Sequence, residues 1–416
     1  MTRPPLDTDY VRSFFPALDD SWAFMENAGG SLVPYTVIDA VSAYMRECQV
    51  QPGDNAAIAR QARQRMEAGQ ATAAAMLNAA PDEVIVGPST TRNVQTLALA
   101  MRSRLHENDE IIVTNLDHEA NNNHWRRLQE HGFIIREWQV DPETAELEIG
   151  ALEPRLTERT RLVCFSHCSN ITGGPNPVRE ITALVHAAGA QVCIDGVAMA
   201  PHTSIDVREL DVDYYLFSLY KTFGPHLGVM YGKREHLLSL PGQYFHFHGE
   251  DDIPLKLNPG APNHELTAAT AGVGAYLDAL ARHHLVEPAG DPVMRYRQVF
   301  RMIQDHESAL AARFLSWAAD QPRIRLVGRR RAGNTGRAPT FSFTIDGMAS
   351  QQLPALLESR GIVAGAGDFY APRVLEATGI DPADGVVRCS LVHYNTADEV
   401  DRLTIALEAI MAENSP

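Results

Sequence analysis

The stretch CIDGVAMAPH at residues 193–202, followed by YLFSLYKTFGPHLG at residues 215–228, decides the fold. Each stretch contains an apolar run of the kind that forms a buried strand. Asp195 stands at the end of the first run, and Lys221 follows just beyond the second. Because open α/β sheets bind their ligands at the carboxyl ends of strands, we expect this carboxylate and this lysine to meet at one sheet edge.

Short apolar runs alternate with helical patterns on both sides of this stretch. EVIVG at residues 83–87, EIIVTN at 110–115 and RLVCFSH at 161–167 have the character of strands. Helical patterns follow them, and the second of these is predicted to form a helix around residues 121–131. This alternation predicts an α/β fold with a largely parallel sheet. The predicted division is an N-terminal segment over residues 1–34 that packs at the domain junction, a large domain over 35–285 and a smaller α+β domain over 286–416. The arginine-rich stretch at 328–337 is predicted to be an exposed loop.

Composition excludes several classes of protein. The chain has 416 residues, with 36 Lys and Arg against 52 Asp and Glu, for a net charge of −16. Such an acidic chain is unsuited to general binding of nucleic acids or anionic membranes. No apolar run approaches the roughly 18 residues of a membrane span, and the start lacks the apolar core of a secretory signal. Five cysteines, an odd number without framework spacing, indicate reduced thiols and a cytoplasmic location.

A carboxylate and a lysine at one sheet edge suit pyridoxal phosphate. This cofactor needs a lysine for its Schiff base and an acid that keeps its pyridine nitrogen protonated. The alternative is an ordinary ion pair between Asp195 and Lys221, which the spacing alone leaves equally open. No metal site is predicted.

Three further strand ends bear residues that suit the same cofactor. GPSTTRN at residues 87–93 puts the hydroxyls of Ser89, Thr90 and Thr91 at a helix start, where a phosphate is favoured, although a plain helix cap has the same pattern. His118 in NLDHEANNNHW could stack on a flat ring or be a loop residue. Asn170 in HCSNITGG could donate to a ring oxygen or belong to a turn.

Taken together, these motifs resemble those of one family, the class V aminotransferases with their cysteine-desulfurase-like members, which are fold-type I pyridoxal-phosphate enzymes. The resemblance runs from Asn27 to the last predicted helix. Besides the Asp195 region, it rests on STTRNVQ (89–95), DHEAN (117–121), SNITGG (169–174), FSLYK (217–221), NPGAPNHE (258–265) and VRCSLVHYNTADEVDRL (387–403).

The resemblance implies a fold and a set of cofactor residues. The fold is a large domain with a mostly parallel seven-stranded sheet and a smaller α+β C-terminal domain. Lys221 would be the Schiff-base lysine, Asp195 the partner of the pyridine nitrogen, and His118 the residue stacked on the ring. Asn170 would lie near the ring's phenolic oxygen. The phosphate would be held by Thr90, Thr91, Ser218 and Tyr220.

The resemblance also implies the substrate side and the assembly. Arg388 would bind the α-carboxylate of an amino acid substrate through the two-pronged guanidinium, and Asn27 would bring backbone close to the substrate. Relatives are usually homodimers with a shared active site, and residues 246–265 resemble the segment that reaches the partner's cofactor.

Departures from the family pattern bear on the reaction. Tyr370, in AGAGDFYAPRVLEATGI at 364–380, stands where the desulfurases have a cysteine nucleophile. A phenol cannot accept sulfur as a thiolate does. Ala198 replaces a frequent glutamine, and Tyr220 a frequent histidine. Tyr370 and Asp368 are predicted substrate-side groups, with the alternative that they only cap or pack the loop.

The sequence therefore predicts an enzyme that joins an amino acid to pyridoxal phosphate as an external aldimine. A C–S lyase or an aminotransferase that lacks the loop cysteine is favoured. Alternatives are a true cysteine desulfurase that uses another sulfur acceptor and a non-catalytic scaffold of the same fold. A nicotinamide-dependent dehydrogenase is disfavoured because the chain has no G-x-G-x-x-G motif.

Overall fold

The computed structural model describes residues 5–19, 21–260, 262–329 and 337–414. Most of the predicted arginine-rich loop at 328–337 lies outside the described residues. The helices are α1 Thr8–Arg12, α2 Tyr35–Glu47, α3 Ala57–Ala75, α4 Thr90–Arg102, α5 Asn123–Arg126, α6 Ile149–Leu152, α7 Val178–Ala187, α8 Val207–Leu210, α9 Arg234–Ser239, α10 His264–His284, α11 Pro292–Ala319, α12 Leu353–Glu358, α13 Pro372–Ala377 and α14 Ala397–Glu413. The strands are β1 Ala23–Phe24, β2 Val84–Gly87, β3 Glu110–Thr114, β4 Ile134–Trp138, β5 Thr160–Ser166, β6 Gln191–Asp195, β7 Tyr214–Ser218, β8 Gly228–Gly232, β9 Ile324–Leu326, β10 Thr340–Ile345, β11 Ile362–Val363, β12 Gly365–Gly367 and β13 Val386–Ser390.

The large sheet has seven strands in the order β2-β8-β7-β6-β5-β3-β4. Strand β8 is antiparallel to both of its neighbours, and the other pairs are parallel. Side chains alternate between two apolar cores, so that Val192 and Ile194 join one core and Cys193 joins the other. Covering both faces explains why these strands are almost wholly apolar. The predicted α/β fold with a mostly parallel seven-stranded sheet is confirmed.

A second, antiparallel sheet with the order β12-β13-β10-β9 lies in the C-terminal part of the chain. Its core contains Phe314, Phe341 and Phe343, together with Ala23 and Met25 from the N-terminal segment. That segment is joined to this part because β1 pairs in parallel with β11. The division at residues 34 and 285 remains a prediction.

The helix expected around residues 121–131 is broken into short pieces. A 3₁₀ turn at Glu119–Asn121 and another at Arg127–His131 flank the single turn of α5. The Asn121 amide donates to Asp117 Oδ2 at 2.9 Å, and the Asn122 amide donates to the Thr114 carbonyl at 2.7 Å. Such side-chain bonds compete with regular helix formation.

None of the helices that the structure describes is both long enough and apolar enough to cross a membrane.

Candidate active site

The carboxyl ends of β5, β6 and β7 border a cavity with about 470 Å³ of empty space, part of it open to solvent. All eight residues predicted to bind the cofactor line this cavity. The lining residues are Thr90, Thr91, His118, Ala120, Ser166, Cys168, Asn170, Asp195, Val197, Ala198, Ser218, Tyr220 and Lys221. Residues from five separate stretches of chain are thus brought to one sheet edge.

One end of the cavity is built from the start of α4. Ser89 caps the helix by accepting a hydrogen bond from the Arg92 amide at 3.1 Å, and Thr90 is the first helical residue. The hydroxyls of Thr90 and Ser218 lie 2.8 Å apart. Gly228 permits this approach, because a Cβ there would lie 2.3 Å from the Thr90 nitrogen. Free helix N–H groups beside two hydroxyls form a place that favours an anion.

Asp195 lies buried at the end of β6, where its Oδ1 accepts a hydrogen bond from the Val197 amide at 2.8 Å. Burial raises the pKa of Asp195, while the Val197 bond and the Lys221 charge lower it. A second buried acid, Asp117, accepts a hydrogen bond from the Ser166 amide at 2.9 Å. Burial, and then the charge of Asp195, raise the pKa of Asp117 to about 7. Sequence reasoning missed Asp117, although it directly precedes His118 at a strand end.

Lys221 ends the 3₁₀ turn that follows β7. Burial first, and then the charge of Arg388, lower its pKa to about 8. Its Nζ lies 5.7 Å from the centroid of the Tyr220 ring. Within the described residues, the ion pair between Asp195 and Lys221 that the spacing left open is not formed, and Nζ donates no hydrogen bond. The lysine thus has an amine that is free to react.

His118 borders the cavity with a fixed ring. Its Nδ1 accepts a hydrogen bond from the Ala120 amide at 3.0 Å, which leaves Nε2 as the nitrogen that bears the proton. Burial, followed by the charges of Lys221 and Arg388, lowers the pKa of His118 to about 3. The imidazole is therefore a flat, neutral surface at neutral pH.

Arg388 lies on β13, outside the cavity lining but against its Asn170 wall. Its Nη1 donates to the Asn170 carbonyl at 3.3 Å, and its Nη2 donates to Glu26 Oε1 at 2.6 Å. The guanidinium carbon stands 3.7 Å from the centroid of the Phe369 ring. Sequence reasoning missed Glu26, although it directly precedes Asn27, which was predicted to lie near the substrate. The arginine predicted to bind a substrate carboxylate already holds a carboxylate of its own chain.

The other two residues predicted for the substrate side do not line the cavity. The Asn27 side chain is buried and donates to the Ser390 carbonyl at 2.7 Å, while its oxygen accepts from Tyr394. These bonds anchor the N-terminal segment to β13 and to the residues that follow it. Tyr370 is 71% exposed, and its ring centroid lies 5.3 Å from that of His118. Asp368 accepts a hydrogen bond from the Tyr370 amide at 3.0 Å and so caps the loop. The roles assigned to these residues remain predictions.

All five cysteines of the chain are buried and unpaired. Cys168 lines the cavity, but burial raises the pKa of its thiol to about 12. Burial likewise raises the pKa of Cys389, beside Arg388. Both therefore carry protonated thiols at neutral pH. Within the described ranges, no group of three or more His, Cys, Asp or Glu side chains is arranged to hold a metal ion.

The family model described as Aminotransferase class-V matches residues 23–403. The chain belongs to this family. Its members are pyridoxal-phosphate enzymes, and the predicted family, cofactor and enzymatic character are confirmed.

Three relatives illustrate the range of this class V family. The aminotransferase-like protein FGM3 of Gibberella zeae is 35% identical, and the match covers 99% of this chain and all of that protein. The cysteine desulfurase-like protein ustD of Aspergillus flavus is 32% identical over 99% of this chain and 92% of its own. The crystal structure of the cysteine desulfurase CsdA from Escherichia coli has a TM-score of 0.82 at 26% identity, covering 98% of this chain and 99% of that one.

Proposed function

We propose that the protein converts an amino acid with the aid of pyridoxal phosphate, as a C–S lyase or an aminotransferase that works without a cysteine nucleophile. The observation that supports this most is Lys221, an unpaired amine with a lowered pKa at the edge of a cavity that also contains Asp195. A purely structural lysine would be expected to have an ion-pair partner.

The residues around the cavity fit the cofactor. The cavity is bordered by the acid Asp195, the amine of Lys221 and the start of α4. These groups are suited to the ring nitrogen, the aldehyde and the phosphate of pyridoxal phosphate, respectively. When bound, the cofactor supplies an aldehyde that condenses with amines and a ring that withdraws electrons from the attached amino acid.

The protein's own groups divide the work in this proposal. Lys221, with a pKa of about 8, keeps a neutral fraction near neutral pH and so serves as nucleophile and then as the base that removes the α-proton. Asp195 holds a proton at the ring nitrogen. The Thr90 and Ser218 hydroxyls bind the phosphate together with the start of α4. His118 covers the ring with a neutral face, and Arg388 orients the substrate carboxylate.

A lyase or an aminotransferase is preferred to a cysteine desulfurase because of the state of the protein's thiols. Sulfur transfer to the protein needs an accessible thiolate. The stretch 364–371, which approaches Arg388 through Phe369, contains no cysteine. The five cysteines of the chain are buried, and the one in the cavity wall has a raised pKa.

A product assay tests the reaction. The purified protein is incubated with single amino acids, cysteine included, and pyruvate, sulfide, alanine and keto acids are measured separately. Pyruvate with sulfide or a thiol supports elimination, and a keto acid formed only when an amino acceptor is present supports amino transfer. Alanine with sulfide would instead favour the alternative, a desulfurase that uses another sulfur acceptor. A colourless protein that cannot be loaded with cofactor would favour the non-catalytic scaffold.

We also propose a homodimer with a shared active site. Phe245 directly precedes the segment 246–265, which resembles the one that reaches the partner in relatives, and Phe247 lies within it; the two side chains are 56% and 69% exposed. Contact with a second subunit would bury these two aromatic rings. Sedimentation should give a dimer, and a fully active monomer would contradict the shared site. The cytoplasmic location is proposed from the unpaired cysteines.

A further inference from the structure

We infer that Glu26 lowers the affinity for the substrate. Its carboxylate occupies the position on Arg388 that the substrate carboxylate would take. The Glu26 side chain must therefore turn away before the substrate binds. This inference rests on the proposed role of Arg388 and assigns a function to a residue that the proposed mechanism does not use.

The surroundings of Arg388 leave one edge of its guanidinium for a carboxylate. Its side chain is 3% exposed, its flat face is covered by the Phe369 ring, and Nη1 is engaged by the Asn170 carbonyl. Glu26 Oε1 occupies Nη2 at 2.6 Å on the remaining edge. A substrate carboxylate therefore meets a group of its own kind and charge already in place.

The pair between Glu26 and Arg388 is incomplete, which makes it displaceable. Glu26 Oε2 and Arg388 Nε are both buried without a hydrogen-bond partner in the described structure. A carboxylate that contacted Nη2 and Nε together would satisfy both prongs of the arginine, and such two-pronged pairs are the stronger ones. Leaving buried polar atoms unpaired is unfavourable. The pair between Glu26 and Arg388 is therefore weaker than a two-pronged pair between Arg388 and a ligand carboxylate.

The space around Arg388 accommodates the Glu26 carboxylate, and the Glu26 side chain can also rotate toward solvent. A Cβ at Gly29 would lie 2.7 Å from Oε1, and one at Gly365 would lie 2.5 Å from Oε2, so two glycines leave the space that this carboxylate fills. The Glu26 side chain is 23% exposed, and rotation toward water gives the displaced carboxylate solvation.

The cost of this displacement reduces the affinity for any carboxylate ligand. Removing the negative charge of Glu26 frees the arginine edge and removes a like-charge repulsion at short range. We therefore expect Glu26→Gln to bind a simple carboxylate about tenfold more tightly than the natural protein, a difference of about 1.4 kcal/mol.

The experiment uses propionate, a carboxylate without an amino group, and the cofactor-loaded protein. Binding is followed through the rise in thermal midpoint with propionate concentration, which reports affinity without turnover. Glu137→Gln is the matched control, because Glu137 is 28% exposed, pairs with Arg126 and does not line the cavity. We expect tighter binding in Glu26→Gln alone, and loss of that gain in the double variant Glu26→Gln with Arg388→Gln.

Equal or weaker propionate binding in Glu26→Gln would overturn the inference. If Glu26→Gln fails to fold or to take up cofactor, Glu26→Asp gives the same test, because its shorter side chain retracts the charge from Nη2. It should bind propionate more tightly, by a smaller factor, and no gain would again overturn the inference. Unchanged gain in the double variant would instead contradict the proposed role of Arg388, while cofactor colour and product formation test the proposed function separately.

Discussion

The two sides of the site differ in how they are built. The proposed cofactor side consists of groups at the ends of neighbouring strands of one sheet, such as Asp195 and Lys221, which are left without mutual pairing. The proposed substrate side combines the N-terminal segment, the second sheet and an exposed loop, and there Arg388 already has a partner in Glu26. In this proposal, the groups of the first side can take up a ligand directly, whereas at the second side a ligand has to replace the pair between Glu26 and Arg388.

Replacing Lys221 is the strongest test of the proposed cofactor side. Lys221→Ala should abolish the visible absorption of the bound cofactor and reduce turnover by at least about a thousandfold, because nucleophile and base are lost together. Absorption spectra and initial rates measure both. Lys233→Ala, at a lysine that follows β8 and pairs with Asp211, should keep colour and turnover. A coloured, active Lys221→Ala protein would mean that the cofactor lysine lies elsewhere.

The lowered pKa of Lys221 makes the stability of the cofactor-free protein depend on pH. The folded protein releases this proton near pH 8 and the unfolded chain near 10.5, so the unfolded chain binds more protons in between. Its free energy of unfolding should therefore rise with pH across this window, relative to Lys221→Met, by up to about 3 kcal/mol. Urea unfolding of both proteins at several pH values measures the difference. Parallel curves would show that the amine is not desolvated.

On the substrate side, Arg388→Lys keeps a positive charge but loses the planar fork. We expect a KM for the amino acid about 30- to 100-fold higher with the cofactor colour retained, since an ammonium cannot make the two-pronged contact. Steady-state kinetics measures the change. Arg373→Lys, which alters an arginine paired with Glu119, should leave KM within about threefold. A reduced kcat at constant KM would assign Arg388 to another step.

The smallest expected effect is on cofactor affinity, at the hydroxyls proposed to bind the phosphate. Ser218→Ala removes one of the two paired hydroxyls and should weaken cofactor affinity about fivefold, by about 1 kcal/mol, with little change in kcat. Dialysis followed by titration with pyridoxal phosphate measures this affinity. An unchanged affinity would mean that the helix start and Thr90 hold the phosphate without Ser218.

The contrast between the sides also explains what the sequence could predict. Apolar runs that end in polar residues identify strand ends, and strand order in a parallel sheet brings such ends together, so the sequence could predict that Asp195, His118 and Lys221 lie at one sheet edge. Glu26 and Asp117 were missed because their importance depends on partners far along the chain or across a strand pair, here Arg388 and Ser166. No local pattern reports such contacts.

The structure also modified one local expectation. The sequence around residues 121–131 has helical character, yet asparagine side chains bond to Asp117 and Thr114, and the stretch forms short turns instead. Helical periodicity carries no information on these competing bonds.

The short strand β1 has a consequence for engineering. It pairs with β11, and Asn27 just beyond it bonds to Ser390, so the short stretch 23–27 belongs physically to the C-terminal part of the chain. A chimera between this enzyme and a relative should therefore exchange residues 21–30 along with the C-terminal part. A crossover that separates them would mismatch a glutamate from one parent with an arginine from the other.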